Sequence, residues 1–430
     1  MKWQKDTFRI EGAEGASTKF YIVGAIGLFL TALGINANQE VAMHSYLTSF
    51  MFWMTIAFGA LFFTLVHHLV NAKWSVLFRR IAEQLISVFP IMAILFLPIL
   101  YTVLSNNDIA LYEWAMTEEK METLDLTKQH LLHAKHVYLN GPFFAIRFFL
   151  YFLVWSVLAY LLRRKSFQQD EKHTNELFGS LKNLSGPGMV LFALTVTFAS
   201  FDWLMTLNPY WFSTIFGVYI FAGSVVALMT FLTVLVTILK NNDVLKDEVT
   251  AEHYHDFGKL TFAFCVFWTF IAFSQFLLIW YGNLAEETIF YKVRWDYHNW
   301  KGISLLLVFG HFLVPLILLM SRLGKRNVKF LTCMAVWLLF IHYVDLKWLV
   351  FPTVSTGEAI ANTHQFILKG ETVMIDMPAP FAFHWTDLTS LVGIGGIFLG
   401  KFWKNFVSQP IVPVNDPYLE KSIHFHNINL

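Results

Sequence analysis

Ten apolar stretches, each long enough to cross a bilayer, divide this sequence and leave little else to build with. They run near 18–36, 46–70, 84–104, 143–163, 187–208, 212–239, 257–282, 300–320, 327–350 and 382–404. A helix needs about 20 mostly apolar residues to span the hydrocarbon core, because every backbone N–H and C=O must find its partner within the segment. Of the 430 residues, 56% are hydrophobic and only 14% charged, whereas charged residues make up about a quarter of a water-soluble domain. The expectation is an all-α integral membrane protein of ten transmembrane helices, a single membrane domain over 1–430.

Orientation follows from the loops. With ten spans, both termini and the loops after helices 2, 4, 6 and 8 share one side. That side carries Lys2, Lys5, Arg9, Lys73, Arg79, Arg80, Arg163, Arg164, Lys165, Arg322, Lys325 and Arg326. The other side has fewer, chiefly Lys120, Lys128, Lys135, Lys292, Arg294 and Lys369. Positive charge accumulates on the cytoplasmic face, so both ends are expected there, including a tail over 405–430. The long outer loops are then 105–142, 283–299 and 351–381. The opening "MKWQKDTFRIEGAEG" lacks the apolar core of a cleaved signal, so the first helix is expected to be retained.

Repetition organises the chain. Helix 5 ends "FDWLMTLNP" and helix 9 ends "VDLKWLVFP", each an aspartate seven residues before a proline. Helices 4 and 8 are both entered through Tyr-x-Asn, at Tyr138–Asn140 and Tyr297–Asn299. Helices 3 and 7 both leave past a tyrosine and an asparagine. Three matches in the same order point to a duplicated four-helix unit, 46–208 and 212–350. An even number of spans restores the starting orientation, so the two bundles are expected to be parallel copies, with helices 1 and 10 flanking them. Helix 10 carries Gly396 and Gly400 in a GxxxG spacing, which suits close helix contact within this chain or with another subunit.

Ionisable side chains inside a membrane mark either structural pairs or working sites. Asp202 on helix 5 and Arg147 on helix 4 come out at a similar outer depth, as a register-fixing ion pair or a polar pocket. In the second unit His342 and Asp345 are three apart and share a helix face, while Lys347 points elsewhere. His311 on helix 8 matches the depth of His342. The two imidazoles suit axial ligation of a b-type haem, a proton relay with Asp345, or separate structural roles. His130, His133 and His136 form a stripe without a carboxylate to complete a metal site. His67, His68, Glu83 and Gln84 lie at inner helix ends, where polar groups are cheap. Cys265 and Cys333 sit alone in apolar helices and form no CxxC or CxxCH, and no stretch suits nucleic acid.

Three segments carry a family resemblance: "FASFDWLMTLNPYWFSTIFGVY", "HDFGKLTFAFCVFWTFIAFSQFLLIWYGNLAEET" and "PVNDPYLEKSIHFHN". They resemble the F subunits of bacterial alternative complex III, a respiratory quinol:cytochrome c oxidoreductase of the inner membrane. The resemblance implies a fold similar to the polysulfide reductase membrane subunit, two four-helix bundles plus a flanking pair. It further implies a cofactor-free subunit beside a homologous quinol-site membrane subunit, an iron–sulfur subunit, multihaem c-type subunits and in some cases a terminal oxidase. Menaquinol or another quinone, protons and membrane lipids are then what it meets. It transfers no ligand set, so Asp202, Arg147, Asp345, His342 and His311 stand on the membrane argument. A secondary transporter with two parallel repeats and a b-type cytochrome using His311 and His342 are the alternatives.

Overall fold

A computed structural model describes residues 2–4, 7–105, 111–171, 175–297, 299–354, 364–368, 371–375 and 378–426. Ten long helices dominate the described residues. They are α1 (Gly15–Ala37), α2 (Gln39–Leu69), α3 (Val76–Leu104), α4 (Gly141–Glu171) and α5 (Asn175–Trp203). The remainder are α6 (Phe216–Asn241), α7 (Ala251–Gly282), α8 (Trp300–Met320), α9 (Val328–Val350) and α10 (Trp385–Val407). Every expected apolar stretch coincides with one of them, and α2, α3, α4, α5 and α7 run past it by a turn or more. Among the described residues nine helices, all but α10, are long and apolar enough to cross a membrane. Helix α10 matches them in length but carries Asp387, Lys401 and Lys404. The exceptions to an all-α fold are two short antiparallel pairs, Lys2–Gln4 with Arg9–Glu11 and His364–Leu368 with Glu371–Ile375. Parts of the expected outer loops 105–142 and 351–381 lie outside the described residues.

Burial sorts the helices. Helices α2, α6 and α9 are mostly enclosed, whereas α1, α7 and α8 turn much of their surface outward. That outward surface is apolar: Phe29 on α1, Phe149 and Leu153 on α4, Phe270 and Leu278 on α7, and Ile317 on α8 are all exposed. A soluble protein would bury such faces; hydrocarbon tolerates them. Helix α2 packs on α5, α6, α9 and α10. Helix α4 packs on α3 and α5, and α7 packs on α6 and α8.

Glycine sets the closest approaches. A Cβ at Gly59 on α2 would lie 2.3 Å from the Ser224 carbonyl oxygen of α6. A Cβ at Gly396 would lie 2.5 Å from the Gly24 Cα, and one at Gly27 would lie 2.6 Å from the Gly393 Cα. The GxxxG of α10 is therefore used on α1 of the same chain, with Gly400 against the Tyr21 ring. Thr31 adds a cross-helix hydrogen bond, donating to Thr389 at 3.0 Å. Such backbone contact is how helices associate where lipid removes the hydrophobic drive.

Prolines account for the irregular turns. Pro90 has no N–H for the Ile86 carbonyl, and α3 runs through a 3₁₀ turn at Ile86–Val88. Pro315 likewise has none for the His311 carbonyl, and α8 widens into a π turn over Val308–Leu313. Proline removes the bond to the carbonyl four residues back and crowds it, so the helix rewinds locally. The two chain termini meet: the Ile411 N–H donates to the Phe8 carbonyl at 2.9 Å, and the Trp403 indole donates to the Ala13 carbonyl at 2.9 Å. We refer to this as the terminal end of the molecule.

Candidate functional site

The first of the expected sites forms between α4 and α5. Arg147 Nε donates to Asp202 Oδ2 at 2.8 Å, and the Tyr151 hydroxyl donates to the same oxygen at 2.7 Å. Asp202 is 0% exposed. The guanidinium also donates to the Tyr138 carbonyl at 2.9 Å and lies 3.9 Å over the Tyr138 ring and 4.4 Å over that of Phe143. Tyr138 precedes α4, and burial followed by the Asp202 charge pushes its phenol above the ordinary range. A loop caps this end, with the Tyr112 hydroxyl donating to the Trp203 carbonyl at 3.0 Å. The inferred neighbours are therefore direct partners, and the carboxylate has a cation held on aromatic faces.

The second site differs in kind. Asp345 is 1% exposed and Oδ1 accepts from the Tyr219 hydroxyl of α6. Trp268 on α7 lies beside the Tyr219 ring, 5.2 Å between centroids, and its buried indole N–H has no partner among the described residues. No cation approaches it among the described residues. Lys347, two residues on, is turned to Asp387 of α10 and lies 3.8 Å over the Phe351 ring. The aspartates of the two halves thus share a sequence position but not a chemical setting.

His342 corrects the sequence reading. Sharing a helix face with Asp345 made it the natural partner, yet its Nε2 lies 2.9 Å from Thr55 Oγ1 on α2. Thr55 donates its own proton to the Phe52 carbonyl at 2.8 Å, so the imidazole is the donor and Nδ1 is left as a bare acceptor. That nitrogen has no protein partner among the described residues. Gly223 makes room for the ring: a Cβ there would lie 3.1 Å from His342 Cε1 and 3.8 Å from Trp268 Cδ1.

His311 sits in the π turn of α8, 0% exposed, and stacks on Trp268 with 3.8 Å between centroids and 28° between planes. Neither of its nitrogens has a protein partner among the described residues, and its stacking partner Trp268 shares the space beside Gly223 with His342. A buried polar group without a partner costs about 1–3 kcal/mol. Three such nitrogens in one place mark a polar cell rather than ordinary core. A b-type haem would require both rings to aim a nitrogen at one iron, and the Nε2 of His342 is aimed at Thr55 instead. Asp345, Tyr219, Trp268, His311 and His342 are thus gathered from α6, α7, α8 and α9, with α2 holding His342.

A third cluster was not legible as a site. Glu83, read as a cheap interfacial acid, is 0% exposed. Its carboxylate is 3.1 Å from Arg80 Nε, 3.6 Å from Arg79 Nε and 3.6 Å from His68 Nε2, and it accepts from Ser166 at 2.6 Å. Arg80 reaches Asp170 at 2.8 Å, while Arg79 pairs with Asp416 of the C-terminal tail. The tail is stitched down further: Ser422 donates to the Trp74 carbonyl at 2.8 Å, and His253 Nε2 lies 2.9 Å from the Ser422 carbonyl. The available signal was the spacing, since Arg79 and Arg80 lie four and three residues before Glu83 on one helix face.

Arg294, outside the long helices, is also fully enclosed. It donates to the carbonyls of Trp348 at 3.0 Å, Leu349 at 3.0 Å and Phe290 at 2.8 Å, closing the end of α9. Burial lowers its guanidinium to about 9, which leaves it charged at neutral pH. The histidines at 130, 133 and 136 are exposed along a short helix, Leu126–Lys135, and its end. No group of three or more histidine, cysteine or acidic side chains able to hold a metal occurs among the described residues.

No family model matches this sequence, and no curated protein matches it.

Proposed function

We propose that this chain is a cofactor-free integral membrane subunit of a bacterial quinol:cytochrome c or quinol:oxidase oxidoreductase of the alternative complex III type, and that its second half handles protons. The constellation of Asp345, Tyr219, Trp268, His311 and His342 carries this reading. A buried carboxyl with only neutral donors, beside two imidazoles with unpartnered nitrogens, is chemistry for taking up and passing on a proton. Asp202 has a permanent counter-cation in Arg147 and serves first as a structural pin. Quinone binding is the second use that such a polar cell allows.

The architecture proposed is ten spans, with α10 crossing as well, two parallel bundles (α2–α5 and α6–α9) and α1 and α10 as a flanking pair. The packing partners of these helices support that arrangement, as does the shared location of the termini, which we place in the cytoplasm beneath the inner membrane. The three segments that resemble the alternative complex III F subunits support the respiratory assignment. For the transporter alternative, matched breaks are expected in both halves. The irregular turns instead fall in α3 and α8, which are not counterparts.

Affinity purification of the full chain from its native membrane in mild detergent tests this. Multihaem c-type and iron–sulfur proteins, and a homologous membrane subunit, are expected to come with it. Recovery of the chain alone or with a solute-binding protein would overturn the assignment.

A further inference from the structure

At the terminal end, α3 lies between α4 and α10 and binds both. Arg163 of α4 donates from Nη2 to Gln84 Oε1 at 2.8 Å, and Asn405 of α10 donates to Ser87 Oγ at 2.7 Å. Gln84 and Ser87 are themselves joined, Ser87 donating to the Gln84 carbonyl at 2.6 Å. These two contacts set Arg163 and the last turns of α10 on either side of Gln84 and Ser87, a stretch of α3 hereafter called the groove. One helical turn before Asn405 stands Lys401, half-buried, with Lys404 exposed beside it.

Cations predominate at this groove. The charged groups that Lys401 senses are Arg163 and Lys404, both cations. Arg163 senses Glu83 and Arg80, but the Glu83 carboxylate is already engaged by Arg80, Arg79 and Ser166. The Nε of Arg163 is buried and has no partner among the described residues. Holding three like charges together is unfavourable unless an anion belongs among them.

The groove continues into an apolar strip. Along the same face of α3, Pro90 is exposed, followed by Ile94 at 58%, Leu97 at 47% and Tyr101 at 68% exposure. These positions follow Ser87 at helical spacing, so the strip runs outward from the cationic groove along the membrane-crossing length of α3. On the α4 bank, Leu153, Val157 and Tyr160 are exposed in the same manner. A cationic cleft at one end and an apolar strip of bilayer length leading from it fit a phosphate headgroup with its acyl chains.

We propose that the groove formed by Arg163, Lys401 and Lys404 over Gln84 and Ser87 is a binding site for an anionic phospholipid of the leaflet at the terminal end. Its phosphate sits among the three cations and its chains lie on the α3 strip. A soluble anion would use the cations but not the strip, and an acidic segment of another protein would not require a strip reaching toward the opposite face.

The test uses the full-length protein in nanodiscs of phosphatidylcholine, with phosphatidylglycerol or phosphatidylethanolamine titrated in, read by native mass spectrometry and thermal unfolding. Each basic residue near a membrane surface contributes about 1 kcal/mol toward an anionic lipid. The Arg163→Gln/Lys401→Gln/Lys404→Gln triple variant is therefore expected to bind phosphatidylglycerol about a hundredfold more weakly than the unmodified chain. Arg163→Lys/Lys401→Arg/Lys404→Arg should keep most of the binding, which separates lost charge from lost folding. Equal affinity of the glutamine variant and the unmodified chain would overturn the proposal. Equal stabilisation by phosphatidylethanolamine, or displacement of the lipid by millimolar inorganic phosphate, would do the same. So would loss of a co-purifying protein from the glutamine variant with its lipid binding unchanged.

Discussion

Replacing Arg147 by Met should destabilise the protein far more than replacing both members of its pair. The variant leaves the Asp202 carboxylate, 0% exposed, with the Tyr151 hydroxyl as its remaining donor at 2.7 Å. Breaking a buried ion pair from one side costs about 3–5 kcal/mol, because a charge is left without compensation. Asp202→Leu should be milder by about 2 kcal/mol, since the cation keeps the Tyr138 carbonyl at 2.9 Å and two ring faces at 3.9 and 4.4 Å. The double variant Arg147→Met/Asp202→Leu removes both charges and should fall within about 2 kcal/mol of the unmodified chain, as buried pairs replaced by apolar groups often do. Reversible unfolding in mixed micelles, titrated with sodium dodecyl sulfate, measures all three. Single effects that add to within about 0.5 kcal/mol in the double variant would refute the pairing argument.

Three further outcomes follow from the packing and the buried network. Gly396→Leu should detach α1 from α10, because even a Cβ at 396 would lie 2.5 Å from the Gly24 Cα; a disulfide engineered between the two helices should then fail to form, whereas Gly15→Leu, with nothing within 4 Å of its Cβ, should leave it intact. Glu83→Gln should destabilise by about 3 kcal/mol or more, since Arg79 and Arg80 lose their shared carboxylate, and protease should then cut the 408–426 tail faster. Thr55→Val should release the His342 ring from α2 at a cost of about 1 kcal/mol, detectable as a shifted imidazole resonance in proteins carrying ¹⁵N-labelled histidine.

The sequence exposed the helices because hydrocarbon imposes one rule along the whole chain, and the apolar stretches answer it individually. It also placed Arg147 beside Asp202, because depth along two consecutive antiparallel helices fixes which side chains can meet. It left the partner of Asp345 open. A three-residue spacing says that His342 and Asp345 share a face of α9, but not which neighbouring helix supplies each with a partner. Those partners proved to be Tyr219 on α6, which donates to Asp345, and Thr55 on α2, which accepts from His342, and their identity depends on how the halves pack. The Glu83 network was hidden for a related reason. Glu83 accepts from Ser166 of α4, and the C-terminal tail, more than 300 residues away, covers the same helix end through Asp416 on Arg79 and Ser422 on Trp74; a helix end covered by distant segments reads in sequence like one open to water. Pro315 did signal a disturbance in α8, but not that a π turn would carry His311 there.

The most direct test of the account measures quinol-driven proton release in liposomes by the complex proposed to contain this chain, comparing Asp345→Asn with the unmodified chain. The variant keeps an acceptor for Tyr219 and loses the exchangeable proton. If Asp345 with its histidine cell carries protons, release should fall by about a hundredfold, the range of a lost acid–base group, with Asp202→Asn acting mainly through stability. Unchanged quinol oxidation and proton release in the Asp345→Asn variant would contradict it.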